Sequence, residues 1–162
     1  MTHEPAIIGL TGGIASGKSE TARILAILGM AVLDADELSR EAVEPPSETL
    51  NEIVGCFGKE CLDKNERLDR KKLAEIVFND AEKRKKLEAI LHPKIMEIAK
   101  IKAQGLFVKG YNPIILEATL LIETGLYKKL NGLIVVTAPE TERIKRAAIR
   151  GNITREEALV RT

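Results

Sequence analysis

The chain has 162 residues, of which 44% are hydrophobic, so it can bury the core of one globular domain with an embedded subdomain. Its 25 basic and 24 acidic residues nearly cancel to a formal net charge of +1, which excludes a bulk electrostatic attraction to nucleic acid or acidic membranes. The N-terminus does not resemble a secretory signal, and no apolar run approaches the roughly 20 residues of a membrane span, so we expect a cytoplasmic protein.

The first part of the chain predicts a β-loop-α-β unit, which is typical of parallel sheets. Residues 7–11 form an apolar run expected to be a buried strand, and residues 18–28 have helical spacing. The segment MAVLDAD then predicts a second strand that ends in acidic residues. Apolar residues of the helix are expected on its inner side: Ile24, Leu25, Ile27 and Leu28.

From about Glu37 to Gly110 the pattern changes to helices separated by turns. The segments ETLNEIVGCF and DRKKLAEIVF have apolar residues at helical spacing, and Asp69 is expected to cap the second of them. Further helical segments follow, divided at His92-Pro93. We interpret this stretch as an inserted helical region.

Strand patterns return at residues 113–122 and 132–138, and a basic helix is predicted from about Glu140 to Arg150. The segment TREEA then carries a capping-box pattern that predicts another helix. Because so short a helix is not stable alone, we expect the natural protein to continue beyond Thr162.

The two cysteines, Cys56 and Cys61, lack a second Cys or His pair at zinc-site spacing. We therefore expect ordinary reduced thiols rather than a metal clip or a disulfide.

The segment GGIASGKS fits the phosphate-loop pattern G-x-x-x-x-G-K-[ST] and lies between a predicted strand and a predicted helix. Glycines let backbone N–H groups approach phosphate oxygens, and the helix N-terminus adds unpaired donors. Lys18 is expected to reach the β and γ phosphates and the Ser19 hydroxyl to ligate Mg²⁺. A flexible turn with a surface lysine would not explain why motif and context agree. The predicted phosphate-binding residues are Gly12, Gly13, Ile14, Ala15, Ser16, Gly17, Lys18 and Ser19.

Two acidic residues, Asp34 and Asp36, end the second predicted strand. Because they alternate on an extended chain, one of them is expected to face the crevice at the carboxyl ends of the strands. A carboxylate there can accept a proton from an acceptor hydroxyl or hold the water shell of Mg²⁺. Asp36 can also simply cap a helix that begins at Glu37, and the two roles are compatible.

Three arginines, Arg143, Arg146 and Arg150, are spaced so that they share one helical face. A solvated basic face is the usual explanation of such a run. Beside a phosphate site, guanidinium groups also stabilise the charge of a transferring phosphoryl group, so we expect at least one of them to be catalytic.

With these motifs in view, the chain resembles the dephospho-CoA kinase family over essentially its whole length. The matching segments, in order, are GLTGGIASGKS, LDADELSREAVEP, LDRKKLAEIVF, LHPKI, LLIETGLYKK and TAPETERIKRAAIRGNITREEA. The resemblance implies a kinase that moves the γ-phosphoryl of ATP, with Mg²⁺, to the ribose 3′-hydroxyl of dephospho-CoA, the last step of coenzyme A synthesis.

The resemblance also implies an α/β fold: a P-loop NTPase-like three-layer core with a parallel sheet, a helical insertion and a lid. Residues 1–40 and 111–143 would form the nucleotide-binding core, and residues 41–110 the insertion that binds the acceptor. Residues 144–162 would form the lid and the start of a C-terminal helix. The expected partners are small-molecule substrates, without nucleic acid or membrane, in a monomer or weak homo-oligomer.

Carried over by motif position, Asp36 is the general base, and Lys18 and Arg146 stabilise the transferring phosphoryl group. Ser19 ligates magnesium, and Arg150 binds ATP phosphates at or near the lid. Residues that face the acceptor are Asp36, Arg40, His92 and Glu123. For His92-Pro93 a helix kink, and for Glu123 a structural cap, stay open as alternatives.

The chain departs from the family pattern at several positions. Glu20 replaces a second hydroxyl of the loop, and in EATLLIE Glu117 stands for the family's acid and Thr119 for its proline. The family also continues past residue 162, with elements that help to complete the adenine site.

Two other classes of protein share part of these features. A shikimate-kinase-like enzyme would explain the phosphate loop and the Asp-x-Asp, but not LDRKKLAEIVF or the His-Pro segment. A non-catalytic switch of the GTPase type usually carries Asn-Lys-x-Asp, which does not occur here.

Overall fold

The computed structural model describes residues 4–78 and 80–151, which fall into two compact units. The first, here called the sheet unit, runs up to Asp34 and resumes at Ala103; the second, the helical unit, is Ala35–Lys102. These limits differ by several residues from the expected insertion of 41–110, and the roles assigned to the segments stay predictions.

The sheet unit contains, in its described part, four parallel strands: β1 (Ile7–Gly12), β2 (Ala31–Asp34), β3 (Ile114–Glu117) and β4 (Gly132–Val136). Their order is β2-β3-β1-β4, so β1 lies between β3 and β4, the last two described strands in the chain. Helix α1 (Lys18–Ile27) connects β1 to β2 and packs on the sheet through Ala22 and Leu25, beside Leu10 and Ile115. The predicted parallel α/β architecture is confirmed.

The inner face predicted for α1 is only partly right. Leu25 packs against the core, whereas Ile24, Ile27 and Leu28 are exposed by 45%, 69% and 70%. Apolar residues occupy both faces of this helix, and the side that turns inward is the one carrying the buried Ala22, three residues before Leu25.

Two predicted strands are shorter than their apolar runs suggested. The chain leaves β2 at Asp34, because helix α2 (Ala35–Glu41) begins at the next residue with acidic residues in its first turn, where they complement the helix dipole. Asp36 therefore lies inside the first turn of α2, and not in the strand or at a cap before Glu37. Likewise β3 ends at Glu117, although the Ala118 N–H still donates to the Leu10 carbonyl at 3.0 Å; beyond it Leu120 is exposed and Leu121 is buried.

The helical unit is built from α2, α3 (Glu48–Phe57), α4 (Arg70–Phe78) and the first part of α5 (Ala81–Val108). Its core clusters the buried side chains of Ile53, Phe57, Cys61 and Leu73. As predicted, Asp69 caps α4, since its Oδ1 accepts hydrogen bonds from the N–H groups of Lys71 and Lys72 at 3.1 Å each.

The predicted break at His92-Pro93 is wrong, because α5 is one continuous helix with Pro93 inside it. An internal proline removes one helical hydrogen bond and costs about 3 kcal/mol. Apolar packing on both sides of it offsets that cost: Leu87 and Leu91 contact the core of the helical unit, and Met96 and Ala99 are buried further along.

Helix α6 (Glu140–Gly151) follows β4 and confirms the predicted basic helix. The capping box of TREEA lies outside the described residues. In the described part of the chain, no helix is long and apolar enough to cross a membrane.

Both cysteines are free, in agreement with the sequence, but their surroundings differ. Cys56 is exposed, whereas Cys61 is fully buried and its thiol donates to the carbonyl of Gly58 at 3.0 Å. Burial raises the pKa of the Cys61 thiol, which reduces the fraction of reactive thiolate at neutral pH.

We therefore expect a thiol reagent such as iodoacetamide to modify Cys56 in the folded protein at neutral pH, and Cys61 only after unfolding in urea. Peptide mass spectrometry after timed labelling measures the two rates separately. Equal rates at both cysteines in the folded protein would contradict the packing of the helical unit around Cys61.

Candidate active site

The loop between β1 and α1 has the backbone geometry of an anion cradle. Gly17 precedes α1 with φ 103° and ψ 11°, a left-handed conformation that side chains disfavour. No side chain caps the first turn of α1, so its N–H groups are available to an anion, and the helix dipole favours negative charge there. The predicted phosphate-binding residues thus lie together in one loop and helix start.

The hydroxyl of Ser16 is buried inside this loop. The side chain is 5% exposed, and within residues 4–78 and 80–151 its Oγ has no hydrogen-bond partner. An unpaired buried hydroxyl is costly, so this atom has the capacity to bind a ligand oxygen.

The Glu117 carboxylate accepts hydrogen bonds from the side chains of the first two residues of α1, Lys18 and Ser19. Lys18 Nζ lies 2.6 Å from Glu117 Oε1, and the Ser19 hydroxyl donates to the same oxygen at 3.1 Å. Lys18 and Glu117 are largely buried, with side chains 16% and 12% exposed. Glu117 is the last residue of β3, and it is paired in register with Leu10 of β1 and with Asp34 of β2.

From the sequence, Glu117 stands out only as a departure from the family pattern. The signal that would find it is positional: it is an acid at the carboxyl end of a parallel strand, where neighbouring strands share a crevice. The order β2-β3-β1-β4 puts it next to the loop that follows β1.

Helix α6 lies against the outside of the same loop. Arg143 Nε donates to the carbonyl oxygen of Ile14 at 3.0 Å, and Arg146 Nη1 is 3.8 Å from the point where a Cβ on Gly17 would be. Arg150 is exposed in the last turn of α6, about 6 Å further along the helix axis than Arg146. Of the three arginines, Arg143 and Arg146 are the ones placed at the loop.

Glu123 belongs to the sheet unit and lies exposed in the turn after β3. The short 3-10 helix Leu126–Lys129 has Gly125 as its N-cap, so Glu123 is not the cap of that helix.

The remaining predicted residues lie in the helical unit. Asp36 and Arg40 are exposed on α2, and Arg70 begins α4. Burial lowers the pKa of Arg70, the positive charge of Arg40 lowers it further, and the charge of Asp36 opposes both. These three side chains therefore form one charged cluster, of which Arg70 was not predicted.

A cavity of about 200 Å³ lies in the helical unit next to this cluster. Its lining is mostly apolar, with Leu73, Val77 and Leu87, and includes the polar residues Ser39 and Arg70. His92 is partly buried within the continuous helix α5, which shows that the His-Pro pair does not end the helix.

Comparison with known proteins places this geometry in context. The family model described as "Dephospho-CoA kinase" matches residues 6–162. A curated dephospho-CoA kinase of Carboxydothermus hydrogenoformans is 40% identical over 155 residues, covering 96% of this chain and 75% of the relative. One of Geobacter sulfurreducens is 43% identical over 152 residues, covering 94% and 77%.

Solved structures agree with the sequence matches. A crystal structure of a Thermus thermophilus protein superposes with a TM-score of 0.78 at 38% identity, over 98% of this chain and 79% of that one. A dephospho-CoA kinase from Campylobacter jejuni gives a TM-score of 0.60 at 31% identity, over 98% and 78%. The chain thus spans about three quarters of the length of these relatives.

The contacts of Glu117 predict a measurable contribution to stability. We expect Glu117→Gln to lower the free energy of unfolding by about 1–2 kcal/mol, because a neutral amide replaces the charged acceptor of the partly buried Lys18 ammonium and the exposed Ser19 hydroxyl. Urea denaturation followed by circular dichroism measures the change.

Glu20→Gln is the matched control, since it also removes a carboxylate from an ion pair in the same region. Glu20 pairs with Arg23 at 2.6 Å, but both side chains are about 60% exposed, so water screens the pair. A loss for Glu117→Gln no larger than that of the control would show that the buried contacts of Glu117 do not stabilise the fold.

Proposed function

The chain belongs to the dephospho-CoA kinase family, and on that basis we propose that its phosphate loop binds ATP while Asp36 activates the acceptor. The reaction transfers the γ-phosphoryl of ATP to the ribose 3′-hydroxyl of dephospho-CoA and gives coenzyme A and ADP, the last step of coenzyme A synthesis. The fold is that of the P-loop NTPases. The comparisons give no support to a shikimate-kinase-like enzyme or a switch.

The observation that carries the proposal is the convergence at the loop. Backbone N–H groups without side-chain caps, the Lys18 ammonium and the Ser19 hydroxyl all lie at the start of α1. This set matches the oxygens of a polyphosphate, and the unpaired Ser16 hydroxyl adds a further partner for them.

Phosphate-side roles follow from these positions. We assign Lys18 to the β and γ phosphates, which requires the Lys18 ammonium to share or leave Glu117 when ATP binds. We assign Arg146, whose Nη1 lies near Gly17, to charge on the transferring group, and Arg150 in the last turn of α6 stays a predicted phosphate ligand.

The residues at the loop also fit Mg²⁺. Ser19 Oγ and the Glu117 carboxylate are adjacent oxygen donors, and Mg²⁺ usually takes one or two protein ligands together with substrate phosphates. Among the described residues no group of three His, Cys, Asp or Glu side chains forms a metal cluster. When bound, Mg²⁺ would neutralise charge on the phosphates.

Acceptor-side roles are assigned to the helical unit and to Glu123. Asp36 receives the proton of the acceptor 3′-hydroxyl while the oxygen of that hydroxyl forms a bond to the γ phosphorus of ATP. The bond between the γ phosphorus and the β,γ-bridging oxygen breaks, and ADP leaves with that oxygen. Arg40 and the neighbouring Arg70 supply positive charge for acceptor phosphates, and the apolar cavity beside them suits a less polar arm. His92 and Glu123 stay predicted acceptor contacts. A cytoplasmic location and a monomer or weak homo-oligomer also remain predictions.

The activity is tested by coupled ADP release from ATP and Mg²⁺ with the full-length chain, with and without dephospho-CoA, and by mass detection of the product. We expect release to depend on dephospho-CoA and coenzyme A to appear. Binding of ATP without turnover would keep the phosphate cradle and reject the assigned acceptor. Turnover with shikimate instead would support the other kinase.

Replacement of Asp36 tests the proposed base. We expect Asp36→Asn to keep ATP affinity near that of the parent and to lower kcat by about 10²–10⁴-fold, because the amide cannot accept the hydroxyl proton. Steady-state kinetics with calorimetry of ATP binding separates the two effects.

Glu37→Gln is the control, since Glu37 is an exposed carboxylate on the same turn of α2. Its kcat should stay near the parent value. An Asp36→Asn variant with the kcat of this control would remove Asp36 from the mechanism.

A further inference from the structure

Helix α6 contacts the phosphate loop through a hydrogen bond and through apolar packing, and neither contact uses an N–H group of the loop. Arg143 Nε donates to the Ile14 carbonyl at 3.0 Å. In addition, the buried side chains of Ile144 and Ala147 pack against the partly buried Ala15. Both contacts fall on the same short stretch of the loop, and on either side of the peptide bond between Ile14 and Ala15.

Ala15, the residue that follows this peptide bond, has a strained backbone conformation. Ala15 has φ 58°, the left-handed conformation that residues other than glycine adopt rarely. Such a conformation persists only where the surrounding structure determines it. Three contacts hold it here: the turn hydrogen bond from the Ser16 N–H to the Gly13 carbonyl at 3.1 Å, the hydrogen bond from Arg143 to the Ile14 carbonyl, and the packing of α6 on the Ala15 methyl group.

Because the peptide bond is planar and trans, the hydrogen bond from Arg143 also determines the direction of the Ala15 N–H. The carbonyl of Ile14 and the N–H of Ala15 belong to the same plane and point in opposite directions. Because Arg143 holds the carbonyl on the side of α6, the Ala15 N–H points away from α6. Successive loop N–H groups directed to one side make a concave anion site.

Arg143 also occupies the space beside Gly13. A Cβ built on Gly13 would lie 2.9 Å from Arg143 Nη2 and 3.3 Å from its Cζ. Gly13 has no positive φ, so an alanine is compatible with its backbone, and the obstacle to a side chain is the guanidinium group itself. The arginine therefore covers the loop over Gly13 and Ile14.

We propose that Arg143 is a positioning residue that fixes the Ile14–Ala15 peptide with its N–H toward the phosphates, and that it is not itself a phosphate ligand. It acts on ATP affinity through the loop, whereas Arg146 is assigned to the phosphates directly. The proposal rests on the proposed function only in requiring that the loop binds ATP.

The first test is calorimetry of ATP·Mg²⁺ binding to the full chain in the absence of acceptor. We expect Arg143→Ala to weaken binding about tenfold, the effect of one hydrogen bond from a charged group. Arg143→Lys should recover part of the loss, because an ammonium group can also donate to the Ile14 carbonyl. Lys145→Ala is the matched control: it removes one exposed positive charge from the same helix and should bind ATP like the parent.

Kinetics and spectroscopy separate positioning from general destabilisation. The KM for ATP should rise about tenfold in Arg143→Ala while the KM for dephospho-CoA stays unchanged, since the helical unit is untouched. In ¹⁵N-labelled protein without nucleotide, the Ala15 amide resonance should shift in Arg143→Ala but not in Lys145→Ala. A direct phosphate ligand would weaken ATP binding and leave that resonance in place, which would overturn the proposal.

A double-mutant cycle adds an independent check. Gly13→Ala should displace the Arg143 side chain, so the effects of Gly13→Ala and Arg143→Ala on ATP affinity should be less than additive. Additive effects would overturn the proposal that Arg143 positions the loop. An Arg143→Ala variant that binds ATP like the parent would overturn it as well. Failure of dephospho-CoA turnover in the parent protein, with ATP binding intact, would instead count against the proposed function alone.

Discussion

The oxygen Oε1 of Glu117 is the point at which the sheet, the loop and helix α1 are joined. Glu117 ends β3, is paired in register with residues of β1 and β2, and accepts from both Lys18 and Ser19. The strand order makes this possible, because β3 lies between β1 and β2 although it comes much later in the chain. A sheet in sequence order would not place this carboxylate beside the loop that follows β1.

The same contact sets the electrostatics of the loop before ATP arrives. A lysine held in a largely buried place needs a counter-charge, and Glu117 provides it at 2.6 Å. An incoming polyphosphate brings more negative charge than one carboxylate, so it can take over the ammonium, while Glu117 and Ser19 remain as adjacent oxygen donors for a cation. In the proposed function, one acidic residue would thus serve the empty and the loaded loop in different ways. Although Glu117 stands at a departure from the family pattern, its carboxylate reaches Lys18.

The phosphate loop and the parallel sheet were predictable because local rules determine them. The glycine and lysine spacing encodes a backbone shape, and apolar runs followed by acids encode strand ends. Tertiary contacts decided what was mispredicted: α5 continues through Pro93 because both of its halves are packed. The same holds for Arg143, which shares a helical face with Arg146 in the sequence, but whose partner is a backbone carbonyl of the loop. A sequence pattern predicts which face of a helix a side chain occupies, but it does not predict which group that side chain binds.

The proposed base differs from the other acceptor-side residues of the helical unit in how few residues separate it from strand β2. Asp34 is the last residue of β2 and is paired in register with Glu117, and only Ala35 separates it from Asp36. Two residues of chain span at most about 7 Å between Cα atoms, so covalent geometry limits the distance between the Cα atoms of Asp34 and Asp36. Arg40 and His92 have no such short tether, since α2 or most of the helical unit lies between them and β2. A proton acceptor must be placed more strictly than groups that bind the body of a substrate, and among the predicted acceptor contacts of the helical unit Asp36 is the one with the shortest chain connection to β2.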